Sequence, residues 1–176
     1  IGVASRALVQ GLFGVIPDAM NGRVLVRPGF PSAWNHASIS TPDIDIAFKR
    51  IGNNETYNVE LKFEKQLALD LQVRALSDKI GSLKINGKEA KWTLAESASG
   101  YPVIKISSLP AKNYKIVIAW GGKNLEAVPA VASVSKGVSW SLNLGNPIKK
   151  IYDPQGVLAE AKISSNVLSG KIAAEA

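Results

Sequence analysis

The sequence has no cysteine, one histidine and one methionine. Without cysteine there is no disulfide scaffold and no Cys-based metal site. A lone histidine, His36, excludes a multi-histidine metal centre and an H-E-x-x-H motif. No G-x-S-x-G, G-x-G-x-x-G or Walker sequence occurs, and Trp120-Gly121-Gly122-Lys123 reads only as a glycine turn. The expectation is therefore no metal and no cofactor. No stretch approaches the roughly 20 apolar residues of a membrane helix, so no membrane span is expected. No basic start leads into an apolar run, so any export signal is expected upstream or removed. Internal repeats and low-complexity segments are also absent.

Acidic residues are the scarcer charge. Lys+Arg number 21 against 14 Asp+Glu, for a net +7. A polyanion partner would require the cations to cluster among aromatics. Here they stand singly, at Lys62, Lys84, Lys105, Lys115 and Lys162, with Lys149-Lys150 the only adjacent lysines. Nucleic acid is therefore not an expected partner. Dispersed lysines fit solubility and protection of sheet edges.

What the chain does contain is strand pattern. Its 176 residues suit one domain, or one domain plus a fragment of another, and can bury a substantial core. Ala4, Ala7, Leu8, Gly11 and Leu12 recur at helical spacing up to Phe13. Gly14 then suits a left-handed helix end, and Pro17 prevents resumption. No residue before this segment can cap it, so it is expected to be the end of a helix that starts in a preceding part, the alternative being a frayed N-terminal helix. Asn21-Gly22 turns into the strand-like Arg23 to Arg27, and the corner Pro28-Gly29-Phe30-Pro31 breaks that strand.

Ile44, Ile46 and Phe48 then alternate with Asp45, Ala47 and Lys49. Gly52-Asn53-Asn54-Glu55 is a turn cluster. Two alternating strands follow, Tyr57 to Phe63 and Leu67 to Ala75. Ile80 to Ile85 meets Asn86-Gly87, the strongest hairpin signal in the chain, and Trp92 to Leu94 extends that region. Val103 to Ile106 and Tyr114 to Trp120 are further strands. Residues 121–135 read as loop with a strand near Val131 to Val134. Short strands close the chain at Trp140 to Leu144, Ile148 to Tyr152, Val157 to Ile163 and Val167 to Ile172. No helix of crossover length separates the strands. The fold class is all-β, an antiparallel β-sandwich with a short N-terminal helix remnant.

One stretch is distinctive. Leu12-Phe13-Gly14, Pro17-Asp18, Gly22, Arg27-Pro28-Gly29-Phe30-Pro31, Trp34, Ala37-Ser38-Ile39 and Thr41-Pro42-Asp43 follow in an order that resembles the helix-to-sandwich junction of bacterial six-hairpin glycosidases, rhamnosidase-like and related. Ile151 to Leu158 is similar to a turn in the same C-terminal domains. The resemblance implies residues 1–14 as the end of a helical toroid domain and 15–176 as a C-terminal β-sandwich domain. It implies carbohydrate metabolism, an exported protein at the periplasm or cell surface, and an upstream helical catalytic domain as partner. In those enzymes the acid and base come from the toroid, so no catalytic residue is carried over.

The residues themselves agree. Glycoside cleavage needs two carboxyl groups. Asp18 and Asp43 each follow a proline and suit turns, while Asp45 alternates with Ile44 and Ile46 and points away from the core. His36 is expected in the junction loop, hydrogen-bonded and structural. Trp92, Trp120 and Trp140 lie in or beside strands, where aromatics are buried by default. Trp34 lies in a loop and suits packing against a neighbouring helical domain, forming an exposed apolar patch with Leu12, Phe13 and Phe30. The candidate contact residues, for a neighbouring domain or for sugar, are Phe13, Phe30, Trp34, His36 and Asp43. Two functions are expected, an accessory domain of a glycoside hydrolase or an autonomous carbohydrate-binding module; an Ig-like adhesion module is a weaker third.

Overall fold

The computed structural model describes residues 6–95, 101–125, 134–145, 147–148 and 150–173. Two compact units result, Ile1–Asn124 and Leu125–Ala176.

The first unit opens with a π-helical segment, Ala7–Leu12, with a widened bond from Phe13 N–H to the Leu8 carbonyl. The chain continues through β1 (Val15–Asp18), β2 (Arg23–Val26), β3 (His36–Ser40), β4 (Ile44–Ile51), β5 (Asn54–Leu61) and β6 (Ala68–Arg74). It then runs through β7 (Ser77–Ile85), β8 (Lys88–Glu89), β9 (Trp92–Leu94), β10 (Val103–Ser107) and β11 (Asn113–Asn124). Two sheets result, with strand orders β1-β2-β6-β10-β9 and β3-β4-β5-β11-β7-β8. Pairing is antiparallel except between β2 and β6, which run parallel. The segment between them crosses to the other sheet and back, so a parallel neighbour arises without a crossover helix. The β-sandwich architecture and the single short helical segment near the start of the described residues match the all-β reading.

The alternation seen in the sequence is the core. Ile44, Ile46, Phe48, Tyr57, Val59, Leu61, Ile116 and Ile118 are buried from one sheet, and Val24, Val26, Leu69, Leu71, Val73, Ile104 and Ile106 from the other. Tyr114 ties a corner of the sandwich. Its hydroxyl accepts from Ala111 N–H (2.7 Å) and donates to the Leu67 carbonyl (2.7 Å), as tyrosines do at sandwich corners. Asn86 and Gly87 both take positive φ, 51° and 81°, the two-residue hairpin turn that Asn-Gly favours.

Several expectations are corrected. Glu55 is not a turn residue but the second residue of β5, and it is buried. Gly121-Gly122 is not a turn; it continues β11 through a bulge, with Gly122 at φ 74° and Lys123 N–H bonded to the Asp78 carboxylate. Trp92–Leu94 does not extend the β7–β8 hairpin; it pairs with β10 in the other sheet. Its Trp92 is 42% exposed, because an edge strand leaves inward-facing side chains uncovered. Trp120 is buried as expected. Lys84, Lys105 and Lys115 stand on strands inside the sheets, β7, β10 and β11, and so do not guard edges.

In the second unit β12 (Ser139–Asn143), β13 (Leu158–Ser164) and β14 (Val167–Ile172) form an antiparallel sheet of order β12-β14-β13. The described part of Ile148 to Tyr152 forms no strand. The strand expected near Val131 to Val134 falls largely outside the described residues. Asp153 closes the turn at Pro154-Gln155 by accepting from Leu158 N–H (2.8 Å) and Val157 N–H (3.0 Å). Those two bonds hold its carboxyl below the usual range.

A charged knot sits on the outer face of the first sheet. Asp70 of β6 is only 7% exposed, covered by Arg23 (Nε to Oδ2, 2.8 Å), the Ser107 hydroxyl and Lys105 (3.7 Å). Burial alone would raise this carboxyl. The Arg23 and Ser107 hydrogen bonds and the two cations outweigh it and hold it below the usual range. A carboxyl depressed by folding stabilises the fold above the unfolded value of about 3.9 and loses that contribution as pH falls through the folded value. Acid titration of stability should therefore steepen below about pH 4 in the parent chain and flatten in Asp70→Asn, read by urea midpoints at several pH values.

Candidate functional site

The first crossing between the sheets, residues 27–35, carries the distinctive cluster. Gly14 takes φ 64° at the end of the π-helical segment. Arg27 N–H donates to the Gly14 carbonyl (3.0 Å) and Gly29 N–H to the Leu12 carbonyl (2.9 Å). These bonds staple the Pro28-Gly29 corner to the helix end and set Phe30 edge-on to Phe13, centroids 5.1 Å apart. Phe30 also meets Phe48 of β4 at 5.1 Å and stacks on Trp34 at 6.3 Å. Phe48 meets Tyr57 at 5.0 Å. Five rings thus run from the core to the surface, at separations where aromatic pairs attract.

The run ends in solvent at Trp34, 41% exposed, with Phe30 and Leu12 half-buried. Phe13 is buried at 4% exposure. This corrects the expectation of an exposed Phe13: the stapled corner folds Phe30 over it. Phe13 supports the patch from below.

Arg50 and Glu55 hold this knuckle in place. Glu55 is 1% exposed, and its carboxylate is fully partnered. One oxygen accepts from Arg50 Nε (3.0 Å) and Nη2 (2.7 Å). The other accepts from Trp120 Nε1 (3.0 Å) and the Tyr57 hydroxyl (3.4 Å). The remaining Arg50 nitrogen, Nη1, donates to the Ser32 carbonyl (2.8 Å) and, more weakly, to that of Trp34 (3.3 Å). Arg50 N–H donates to the Asn35 carbonyl (2.7 Å). One guanidinium thus links a buried carboxylate to the backbone of the aromatic loop, a use that suits arginine's planar fork. Burial, and then the neighbouring Glu55 charge, push the Tyr57 hydroxyl well above its ordinary value, so it stays a neutral donor.

The other candidates are scattered. His36 is not in the loop but is the first residue of β3, exposed and opposite Lys49. Its ring makes no hydrogen bond among the described residues, contrary to the expectation of a bonded structural histidine. It borders a shallow recess lined by Ala33, Trp34, Asn35, His36 and Ala37. Asp43 lies beyond the other end of β3, in the turn before β4, where its carbonyl accepts from Lys62 N–H (2.9 Å). The structure therefore brings together Phe13, Phe30 and Trp34, places His36 beside them and leaves Asp43 apart.

None of the weighed carboxylates forms an acid–base pair. Asp18 bonds Asn21 across its turn (2.7 Å). Asp45 accepts from Lys62 Nζ (2.6 Å) and the Ser40 hydroxyl (2.7 Å), which hold it below the usual range, the wrong direction for a proton donor near neutral pH. Among the described residues no group of three His, Cys, Asp or Glu could hold a metal. No described helix is long and apolar enough to cross a membrane.

No protein-family model matches this chain, and no curated protein matches it significantly.

Proposed function

We propose that this chain is a non-catalytic accessory β-domain of a glycoside hydrolase, and that the Phe30-Trp34 knuckle packs against the helical catalytic domain of the same protein. The observation that carries this reading is the pinned, outward-facing Trp34. Its loop is fixed through Arg50 to a fully buried carboxylate, and its ring rests on Phe30 and, through it, on the helix end. A large aromatic ring held rigid before contact costs little entropy on docking and suits an anchor role. The resemblance of Leu12 to Asp43 to six-hairpin glycosidase junctions supplies the identity of the partner. Export to the periplasm or cell surface belongs to the same reading.

A second reading is an autonomous carbohydrate-binding module with Trp34 as platform. It is favoured by the recess beside Trp34, which Asn35 and His36 line with polar groups.

The test titrates this chain with the separately produced helical catalytic domain that this reading requires in the same protein. Association should raise the melting temperature of both pieces by mass action. Trp34→Ala should weaken it by about 2 kcal/mol or more, roughly 30-fold, while leaving the chain folded. The chain alone should not cleave aryl glycosides. Turnover by the chain alone, lost in Asp43→Asn, would move catalysis into the β-domain and overturn the reading. Association unchanged by Trp34→Ala would remove the knuckle from the interface.

A further inference from the structure

The outer face of the second sheet bears a depression that the functional reading above does not use. It lies across β3, β4, β5 and β11, about 14 Å wide at the usual strand spacing, and is an open hollow of about 520 Å³. Register builds it from two cross-strand rows. The first is Ser38, Ala47, Asn58 and Lys115; the second is Ser40, Asp45, Glu60 and Asn113. Ala47 offers only a methyl group between Ser38 and Asn58, which makes the floor low.

The walls are fixed. Asp45 is held by Lys62 and Ser40, and Glu60 faces Lys112 at 3.4 Å. Asn86 spans β11 from the far side, donating to the Asn113 carbonyl (3.0 Å) and accepting from Lys115 N–H (2.7 Å). The Ser38 hydroxyl, the Asn58 amide and the Lys115 ammonium make no side-chain hydrogen bond among the described residues. They form a row that points away from the core.

This chemistry narrows the ligand. With both carboxylates ion-paired, no acidic surplus remains for a metal cation or a basic peptide. One unpaired ammonium is too little for a nucleic acid. A floor of one methyl group gives an apolar protein surface nothing to bury. A hydroxyl, an amide and an ammonium in one row, donors and acceptors together, match a ligand that presents hydroxyls at regular intervals.

We propose that this depression binds a carbohydrate chain laid across β3, β4, β5 and β11, with Ser38 and Asn58 hydrogen-bonding ring hydroxyls and Lys115 facing a hydroxyl or a uronate carboxylate. The site is separate from Trp34 and does not depend on the accessory-domain reading.

The test follows backbone amide resonances of the chain while xylohexaose, a neutral probe, or hexagalacturonate, a charged one, is added to roughly 10 mM, ten times a millimolar Kd. Shifts are expected at Ser38, Ala47, Asn58 and Lys115. Xylohexaose binding would assign a neutral sugar, and binding of hexagalacturonate alone would assign a uronate. Ala47→Met fills the floor from a solvent-facing position without adding charge and should reduce affinity at least tenfold; Asn58→Ala should reduce it severalfold. Trp34→Ala should leave binding unchanged. Absence of shifts at these amides with both probes overturns the site. So does response to hexagalacturonate alone that survives Ala47→Met and vanishes in high salt, the mark of bare charge attraction. Shifts gathered at Trp34, Asn35 and His36 overturn it in favour of the aromatic platform.

Discussion

Replacing Arg50 by methionine is expected to cost about 3–5 kcal/mol of stability, measured by urea unfolding near pH 7. The loss comes less from the missing attraction than from what stays behind. Glu55 would remain 1% exposed, with only Trp120 and Tyr57 to satisfy one of its oxygens. A buried charge stripped of its counter-charge is among the most expensive defects a core can carry. The Ser32 and Trp34 carbonyls would also lose their donor, so the near-ultraviolet signal of the tryptophans should change. Replacing both partners, Arg50→Met with Glu55→Met, should recover much of the loss, because no charge is then left buried. A cost below about 1 kcal/mol for Arg50→Met would put the pair in the class of surface ion pairs and remove its role in holding the knuckle.

The same pair marks the boundary of what the sequence makes legible. Glu55 stands two residues before Tyr57, in phase with Tyr57, Val59 and Leu61, so its inward direction is already implied by alternation. The turn residues Gly52 and Asn53 hide it, because a carboxylate next to a turn is ordinarily solvated. That Arg50 answers it depends on the β4–β5 hairpin, where the two are cross-strand partners. The alternating runs were readable because a half-buried strand writes its burial into every second residue. Edges and crossings are not written that way. Trp92 and Leu94 pair with Ile106 and Ile104 and share their face, yet an edge strand leaves them exposed. The parallel β2–β6 neighbours follow from the route of the chain between sheets, which no local pattern encodes. Gly121-Gly122 misled because glycine signals turn and bulge alike. At the candidate site, Phe30 and Trp34 were legible as aromatics in a Pro/Gly corner, whereas the burial of Phe13 depends on how that corner folds back.

How the corner folds back rests on Gly14, and Gly14→Ala is expected to destabilise the first unit far more than Gly22→Ala. Both glycines have positive φ, 64° and 67°, so each alanine bears the left-handed penalty of roughly 1–2 kcal/mol. At Gly22 a Cβ would meet nothing within 4 Å, so the cost should stop there. At Gly14 the same atom would run into the carbonyl and Cα of Arg27. Backbone cannot rotate aside as a side chain can. Relief requires β2 to move from β1 at the Val15–Val26 end of their pairing, or the Arg27 N–H bond to Gly14 to break. Either breaks the staple that places Phe30 against Phe13. Gly14→Ala should therefore cost several kcal/mol in urea unfolding, in the range reserved for backbone strain at a packed position. It should also loosen Trp34, seen as a red-shifted tryptophan emission in the folded baseline. A Gly14→Ala cost equal to that of Gly22→Ala would mean that the helix end and the corner shift apart freely, and the pinned knuckle would lose its foundation.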